Sequence, residues 1–427
     1  MRLQSTQHQS PEIGFQEAIF RGLPPDNGLY MPSDIPTLSA SFWQYCDQLT
    51  FQEIASAMAI SLLQDSIPEK DMRKLIMDAM DFSAPAVKLN PDLYVLELFH
   101  GPSMAFKDFG ARFMAATMSY FLQQSGETLN ILVATSGDTG GAVAQGFYGV
   151  PGISVTILYP KGKVSKVQEQ QLTTLGGNVR ALEIEGTFDD CQALVKQAFL
   201  DEELRLKYRL ASANSINIAR LIPQSFYYAY AYAQLKHLWK DMVFSVPSGN
   251  FGNLTAGVLA MRMGMPVARF IAATNVNRVV PEYLETGVFS PISPSIATLS
   301  NAMDVGNPSN FPRLLALFGG DVAKMRAKIK GYSFTDEQTR AGVQELYETY
   351  GYLACPHTAV AYLGLKADTL DADQVGVFLS TAHYGKFLPE MEEISKEYKD
   401  RLVLVSLSID DKTSWEIASR HHKIAWW

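Results

Sequence analysis

Residues 131–146 read ILVATSGDTGGAVAQG. An apolar, β-branched run enters a turn of Thr135, Ser136, Gly137, Asp138, Thr139, Gly140 and Gly141, and a small-residue helical segment follows. A strand feeding a glycine turn and then a helix is the repeating unit of a parallel sheet, because parallel neighbours need a crossover and a helix supplies it. The turn leaves backbone N–H groups facing outward at a helix N-terminus, where the dipole favours an anion. Glycines let a ligand approach the backbone, and the hydroxyls add donors. A plain βα connection capped by Ser and Thr uses the same residues equally well.

The pattern recurs on both sides. Residues 242–260 run from MVFSVP through Ser248, Gly249, Asn250, Phe251, Gly252 and Asn253 into LTAGVLA, again strand, loop and helix. This loop matches neither GxGxxG with a downstream ribose acid nor GxxxxGK[ST], so dinucleotide and P-loop readings lack their diagnostic residues. Further strand-like runs are YVLEL from Tyr94, ISVTILYP (153–160), VRALEIEG (179–186), VARFIAAT (267–274), QVGVFLST (374–381) and LVLVSL (402–407). Helical or glycine-rich segments separate most of them, which predicts an α/β chain with a mainly parallel sheet flanked by helices. Their spread along the chain favours two lobes over one small sheet. Before Tyr94 the pattern differs: RGLPPDNGLYMPSDIP reads as an irregular surface loop, and 51–64 and 70–82 have helical apolar spacing. The predicted division is 1–93, an N-terminal helical and irregular segment packing on the large lobe; 94–225, a small α/β lobe; and 226–427, a large one.

Composition narrows the function. The chain has 427 residues, 47% hydrophobic and 19% charged, as in an ordinary globular protein of two or three domains. A net charge of −8 argues against nucleic-acid binding, which needs clustered Lys and Arg, but leaves small anions open. Cys46, Cys191 and Cys355 are far apart and lack CxxC spacing, so neither a disulfide framework nor a thiolate metal site is expected. The N-terminus has no secretory pattern and no apolar run is long enough to span a bilayer. These features predict a cytoplasmic protein without membrane or metal.

Residues 99–114 read FHGPSMAFKDFGARFM. Phe106, Phe109 or Gly110, Phe113, Met114 and Met118 form an apolar helical face, and Lys107 sits one residue from it. Such a lysine ordinarily snorkels to solvent, and helix dipoles prefer lysines at the other end. Its setting of Gly101, Pro102, Ser103 and aromatics points elsewhere, since a desolvated lysine becomes a nucleophilic amine.

Taken together, HGPSMAFKDFG, TSGDTGGA, SANSINIARL, PSGNFGN and STAHYGKF resemble, in order, the motifs of the threonine synthase family. These are pyridoxal-phosphate enzymes of fold type II, two-lobed and tryptophan-synthase-β-like. The first motif is highly specific, and the likeness covers nearly the whole chain. It departs at Ser103, where the family more often has Thr, and at Tyr384 and Gly385, where it more often has Pro-Ala.

The resemblance implies a lyase that converts O-phospho-L-homoserine and water to L-threonine and phosphate, the last step of threonine biosynthesis. Lys107 would form the Schiff base and shuttle protons. Gly249, Asn250, Phe251, Gly252 and Asn253 would bind the cofactor phosphate, and Thr381 would face the pyridine nitrogen. Ser103, Thr135, Ser136, Asp138 and Thr139 would meet the substrate, with Asp138 either orienting its loop or meeting the amine. Asn214, Ser215, Asn217 and Arg220 would take the substrate phosphate, ahead of Lys163 and Lys166, which also read as a solvated cluster. Lys386 would reach the cofactor edge or lie at the surface, while His100 and His383 pack behind the site and Cys191 fills core. A phospholyase releasing 2-oxobutyrate and a non-catalytic binding protein of the same fold are the rival readings. The expected assembly is a monomer or homodimer.

Overall fold

Gln374–Ser380 is buried at every position and Asp241–Pro247 at every position after its first. Strands apolar on both faces belong inside a sheet that is covered on both sides. In this computed structural model, which describes residues 1–63, 66–387, 390, 391 and 394, the two pair in parallel at the centre of a six-stranded sheet. Its order is Ile329–Ser333, Arg269–Thr274, Asp241–Pro247, Gln374–Ser380, Leu93–Glu97 and Ala86–Asn90. Every neighbouring pair is parallel except the last. Successive residues feed opposite cores: Phe244 and Phe270 enter one, Val243 and Ile271 the other. The second core is closed by helix Pro356–Ala367, whose Gly364 permits close approach, since a Cβ there would lie 2.7 Å from Ser245 Oγ.

A four-stranded, wholly parallel sheet runs Val179–Ile184, Ile153–Pro160, Leu129–Ala134, Leu210–Ser212. All the predicted strands within the described residues are present; the run at 402–407 lies outside them. The short strands Leu210–Ser212, Ile329–Ser333 and Ala86–Asn90 were not anticipated, because they carry little apolar alternation and are recruited by neighbours already in place.

Two expectations need correction. The stretch RGLPPDNGLYMPSDIP is not simply a surface loop, because Tyr30–Pro32 is a fully buried strand paired antiparallel with Arg2–Ser5. And the strand Leu93–Glu97, assigned with 94–225 to the small lobe, pairs with Gln374–Ser380 in the six-stranded sheet. The helix it leads to, Lys107–Ser125, receives the N-terminal segment through Phe51 and Phe82 on Phe109 and through Phe15 and Phe20 on Phe121. That segment also packs on helix Gln224–Leu235, through Phe51 against Tyr230.

Arg313 ties these parts together. It is fully buried, and among the described residues it pairs with no carboxylate. Its Nε donates to Tyr30 O at 3.1 Å, Nη2 to Ile216 O at 2.6 Å and Nη1 to Asn310 Oδ1 at 2.9 Å. Burial pulls its pKa down to about 9, so it keeps its charge at neutral pH. Removing it strands several buried acceptors at once. Arg313→Ala should cost about 3 kcal/mol or more in urea unfolding, and Arg313→Lys should recover only part of it.

Candidate active site

The loops singled out from the sequence all leave the carboxyl ends of parallel strands, where α/β sheets present their ligands. Backbone pairing sets the first juxtaposition. Leu98 N–H donates to Ser380 O, Phe106 N–H to Thr381 O at 2.8 Å and His383 N–H to Met104 O, with a bridge between Ala105 and Ala382. Lys107 opens its helix directly beyond this pairing, so it lies beside Thr381 despite their separation in sequence. Its side chain is half-buried. Burial pushes the amine down to about 8; Asp138 opposes the shift, while Arg220 and Lys386 add to it.

Asp138 begins helix Asp138–Phe147 and is buried. Its Oδ1 pairs with Lys386 Nζ at 2.6 Å and accepts from Gln168 Nε2 at 3.1 Å. Burial alone would raise this carboxyl, but the Lys386 and Lys107 cations hold it well below the usual carboxylate range. A surface role for Lys386 is thereby overturned: it has no exposed area, and its ammonium also donates to Ser103 O at 2.8 Å. Gln171 Nε2 donates to the same carbonyl, and Ser103 N–H donates to Asp108 Oδ2. Burial raises Asp108 to about 6, against the pull of the Ser103 hydrogen bonds. Thr135 is spent within its own turn, its Oγ1 accepting from Gly137 and Gly140 N–H. Ser136 is exposed and Thr139 half-buried, so these two keep access to a ligand. Gly137, at φ +144, packs against Gln168, whose amide a Cβ would meet at 2.4 Å.

In the second loop Phe251 adopts φ +60 and Gly252 opens helix Gly252–Arg262. Gly249 packs on backbone, where a Cβ would lie 2.8 Å from Met303 Cα. Asn250 Oδ1 accepts from Ser309 N–H and Oγ, so its side chain braces the loop. Asn253 Oδ1 accepts from Tyr227 and Tyr228 hydroxyls, both at 2.7 Å, which turns its Nδ2 donor away from them. His357 supports the same wall by accepting from Ala302 N–H at Nε2, 3.1 Å away. Burial lowers it to about 4, so it is neutral and carries its proton on Nδ1.

The segment 212–221 is divided in its use. Asn217 caps helix Ile218–Leu221 and donates to Ile19 O, which makes it a structural residue rather than an exposed ligand. Asn214 and Ser215 are half-buried. Arg220 is buried, with Nη1 on Ala213 O at 2.6 Å; burial lowers it to about 10, and it remains a cation. Lys163 and Lys166 are exposed and Cys191 is buried. His383 stacks on Tyr384, and His100 Nε2 lies 2.8 Å from Glu97 Oε2.

The residues fit pyridoxal phosphate. Buried atoms without a hydrogen-bond partner among the described residues include Arg220 Nε, Asn253 Nδ2 and His357 Nδ1. Buried polar atoms need partners, and these flank an amine, a helix N-terminus and a hydroxyl suited to an aldehyde and a phosphate. Sequence reading missed Gln168, Gln171, His357 and Arg313. The first had a signal in the capping box that Ser165 forms with Gln168, with Gln171 one helical turn on. Because Gly249 abuts main chain, Gly249→Ala should weaken pyridoxal-phosphate binding about tenfold in a spectrophotometric titration, with the fold retained by circular dichroism.

Comparison with known proteins identifies the family. The family model described as pyridoxal-phosphate dependent enzyme matches residues 81–381, and that described as threonine synthase N terminus matches residues 2–80. A threonine synthase of Escherichia coli is 45% identical over 401 residues, covering 94% of this chain and 92% of its own. A crystal structure of threonine synthase from Escherichia coli superposes with a TM-score of 0.86 at 44% identity, over 94% of each chain. A pyridoxal-phosphate-bound threonine synthase from Brucella melitensis gives 0.88 at 35% identity, over 92% of this chain and 91% of its own.

Proposed function

The chain belongs to the threonine synthase family of pyridoxal-phosphate lyases of fold type II, and from that premise we propose that it acts on O-phospho-L-homoserine with Lys107 as its covalent and proton-transferring residue. The observation that carries the assignment is the Lys107 amine, which burial pushes down to about 8 and which the Phe106–Thr381 backbone pairing sets beside Thr381, with Asp138 at the head of its helix among its charged neighbours. At that value an appreciable share of the amine is neutral near physiological pH, as nucleophile and base both require. Pyridoxal phosphate, when bound, supplies the electron sink that lets the Cα proton leave.

The protein's residues do the rest. Amides of Gly249–Asn253 at the head of Gly252–Arg262 hold the cofactor phosphate. The Thr381 hydroxyl meets the pyridine nitrogen as a neutral partner. Ser136, Thr139 and the first amides of Asp138–Phe147 receive the substrate carboxylate. Arg220, with Asn214 and Ser215, takes the substrate phosphate through its guanidinium, which stays a cation despite burial. Lys107 removes the Cα proton and moves protons while phosphate departs from Cγ. Water then adds at Cβ, and the net change is substrate plus water to L-threonine plus phosphate. Asp138, Thr135 and Asn217 shape these loops without touching substrate, as their internal hydrogen bonds support. Among the described residues no helix is long and apolar enough to cross a membrane, and Cys46, Cys191 and Cys355 are free thiols, which supports a cytoplasmic setting.

Incubation with O-phospho-L-homoserine should yield threonine and phosphate in equal amounts. Release of 2-oxobutyrate instead would identify a phospholyase, and no turnover with bound cofactor a binding protein. Lys107→Ala should abolish the borohydride-fixed cofactor adduct and lower turnover at least about a thousandfold. Protonation blocks the amine, so attachment of pyridoxal phosphate should speed up as pH rises and level off above about 8, well below the 10.5 of an ordinary lysine.

A further inference from the structure

We propose that Lys386 and Asp138 form a paired positioning unit for Lys107, in which two opposite charges in contact with each other near the amine balance its electrostatic surroundings while the Ser103 carbonyl, held by Lys386 and Gln171, fixes the turn that precedes it. The proposal rests on the reading that Lys107 carries the cofactor, and it gives Lys386 a role beyond that reading. The geometry is specific. Lys386 has no exposed area and spends its ammonium on Asp138 Oδ1 at 2.6 Å and Ser103 O at 2.8 Å. Ser103 lies four residues before Lys107, and its N–H is held by Asp108, the residue after Lys107. The ammonium therefore holds Ser103 at the start of the tight turn that delivers the amine, and Asp108 closes that turn on Ser103 N–H. Through Asp138, which Gln168 also holds, the same ammonium fixes the head of helix Asp138–Phe147.

A buried ion pair is a poor source of stability, because desolvation of both partners offsets their attraction. Its retention here is better understood through the charges it places. The groups that face Lys107 are Asp138 on its helix, Lys386 on the turn Tyr384–Phe387, Arg220 on Ile218–Leu221 and His357 on Pro356–Ala367, with Asp108 adjacent in the chain. His357 is neutral, and Arg220 adds to the cationic side. Lys386 favours the neutral amine, and Asp138 favours the ammonium. Neutralising one member leaves the other uncompensated, so the two substitutions must act in opposite directions.

This is tested on the full-length chain, stripped of cofactor and reloaded with pyridoxal phosphate across a pH series. The adduct at Lys107 is fixed with borohydride and quantified by peptide mass spectrometry. Lys386→Met should move the midpoint of attachment up, and Asp138→Asn should move it down, each by about half a pH unit or more. Lys386→Arg should restore the native midpoint, and the double variant Lys386→Met/Asp138→Asn should lie close to it. The double and Arg variants carry no uncompensated buried charge, so the comparison survives if a single variant folds poorly. Single variants that shift in the same direction, or that reduce the adduct equally at every pH, overturn the proposal and leave Lys386 a purely structural lysine. A native adduct on another lysine overturns the Lys107 reading itself, and this proposal with it.

Discussion

The pairing of residues 104–106 with 381–383 is the constraint from which the rest of the site follows. Leu93–Glu97 lies parallel to Gln374–Ser380, and the backbone exchange continues past the strand ends through Phe106 N–H on Thr381 O and His383 N–H on Met104 O. Parallel strands present their following loops on one edge of a sheet. The first helical residue after this pairing therefore has to emerge next to Thr381. The same register carries Lys386 inward, because the turn Tyr384–Phe387 begins only one residue beyond the bonded His383. An amine and a hydroxyl converge through main-chain hydrogen bonds alone, and the ion pair with Asp138 then draws the second ammonium inward.

Convergence of charge inside an acidic protein raises a second constraint. The net charge is −8, yet the proposed ligands bring two phosphates and a carboxylate. Bulk charge opposes them, so attraction must come from oriented amides at helix N-termini and from a few buried cations. Arg220, Arg313 and Lys386 are each buried and each donates to main-chain carbonyl groups. Carbonyl acceptors hold these cations in place without neutralising them. Asp138 is the exception, and its pairing with Lys386 gives the site an anion at a fixed point beside Lys107.

Much of this was legible from local sequence. The strands at 131–135, 153–160, 242–247, 267–274 and 374–381 announced themselves by apolar runs ending in glycine turns, because a central parallel strand leaves few other compositions available. The two glycine loops were legible as strand-to-helix turns for the same reason, since close approach and outward amides demand Gly, Ser and Asn. What stayed hidden depended on partners distant in sequence. Asn217 and Thr135 carry the residue types of ligands, yet they spend their groups on Ile19 O and on the turn's own amides. Lys386 has the composition of a surface lysine, and only the buried Asp138 makes it otherwise. Tyr30–Pro32 sits within a run of turn formers, and its burial depends on Arg2–Ser5 and Arg313.

The sequence by itself determined the α/β architecture, the family and the cofactor, and it supplied the lysine proposed as the attacking amine, because each is written in contiguous residues whose chemistry admits few substitutes. The tertiary structure decided which strand joins which sheet, which of the polar residues face a ligand and which brace a loop, and what charge surrounds Lys107. Those outcomes turn on burial and on hydrogen bonds between segments hundreds of residues apart. A side chain's proton affinity is a property of the groups around it, and no local pattern records which groups those will be.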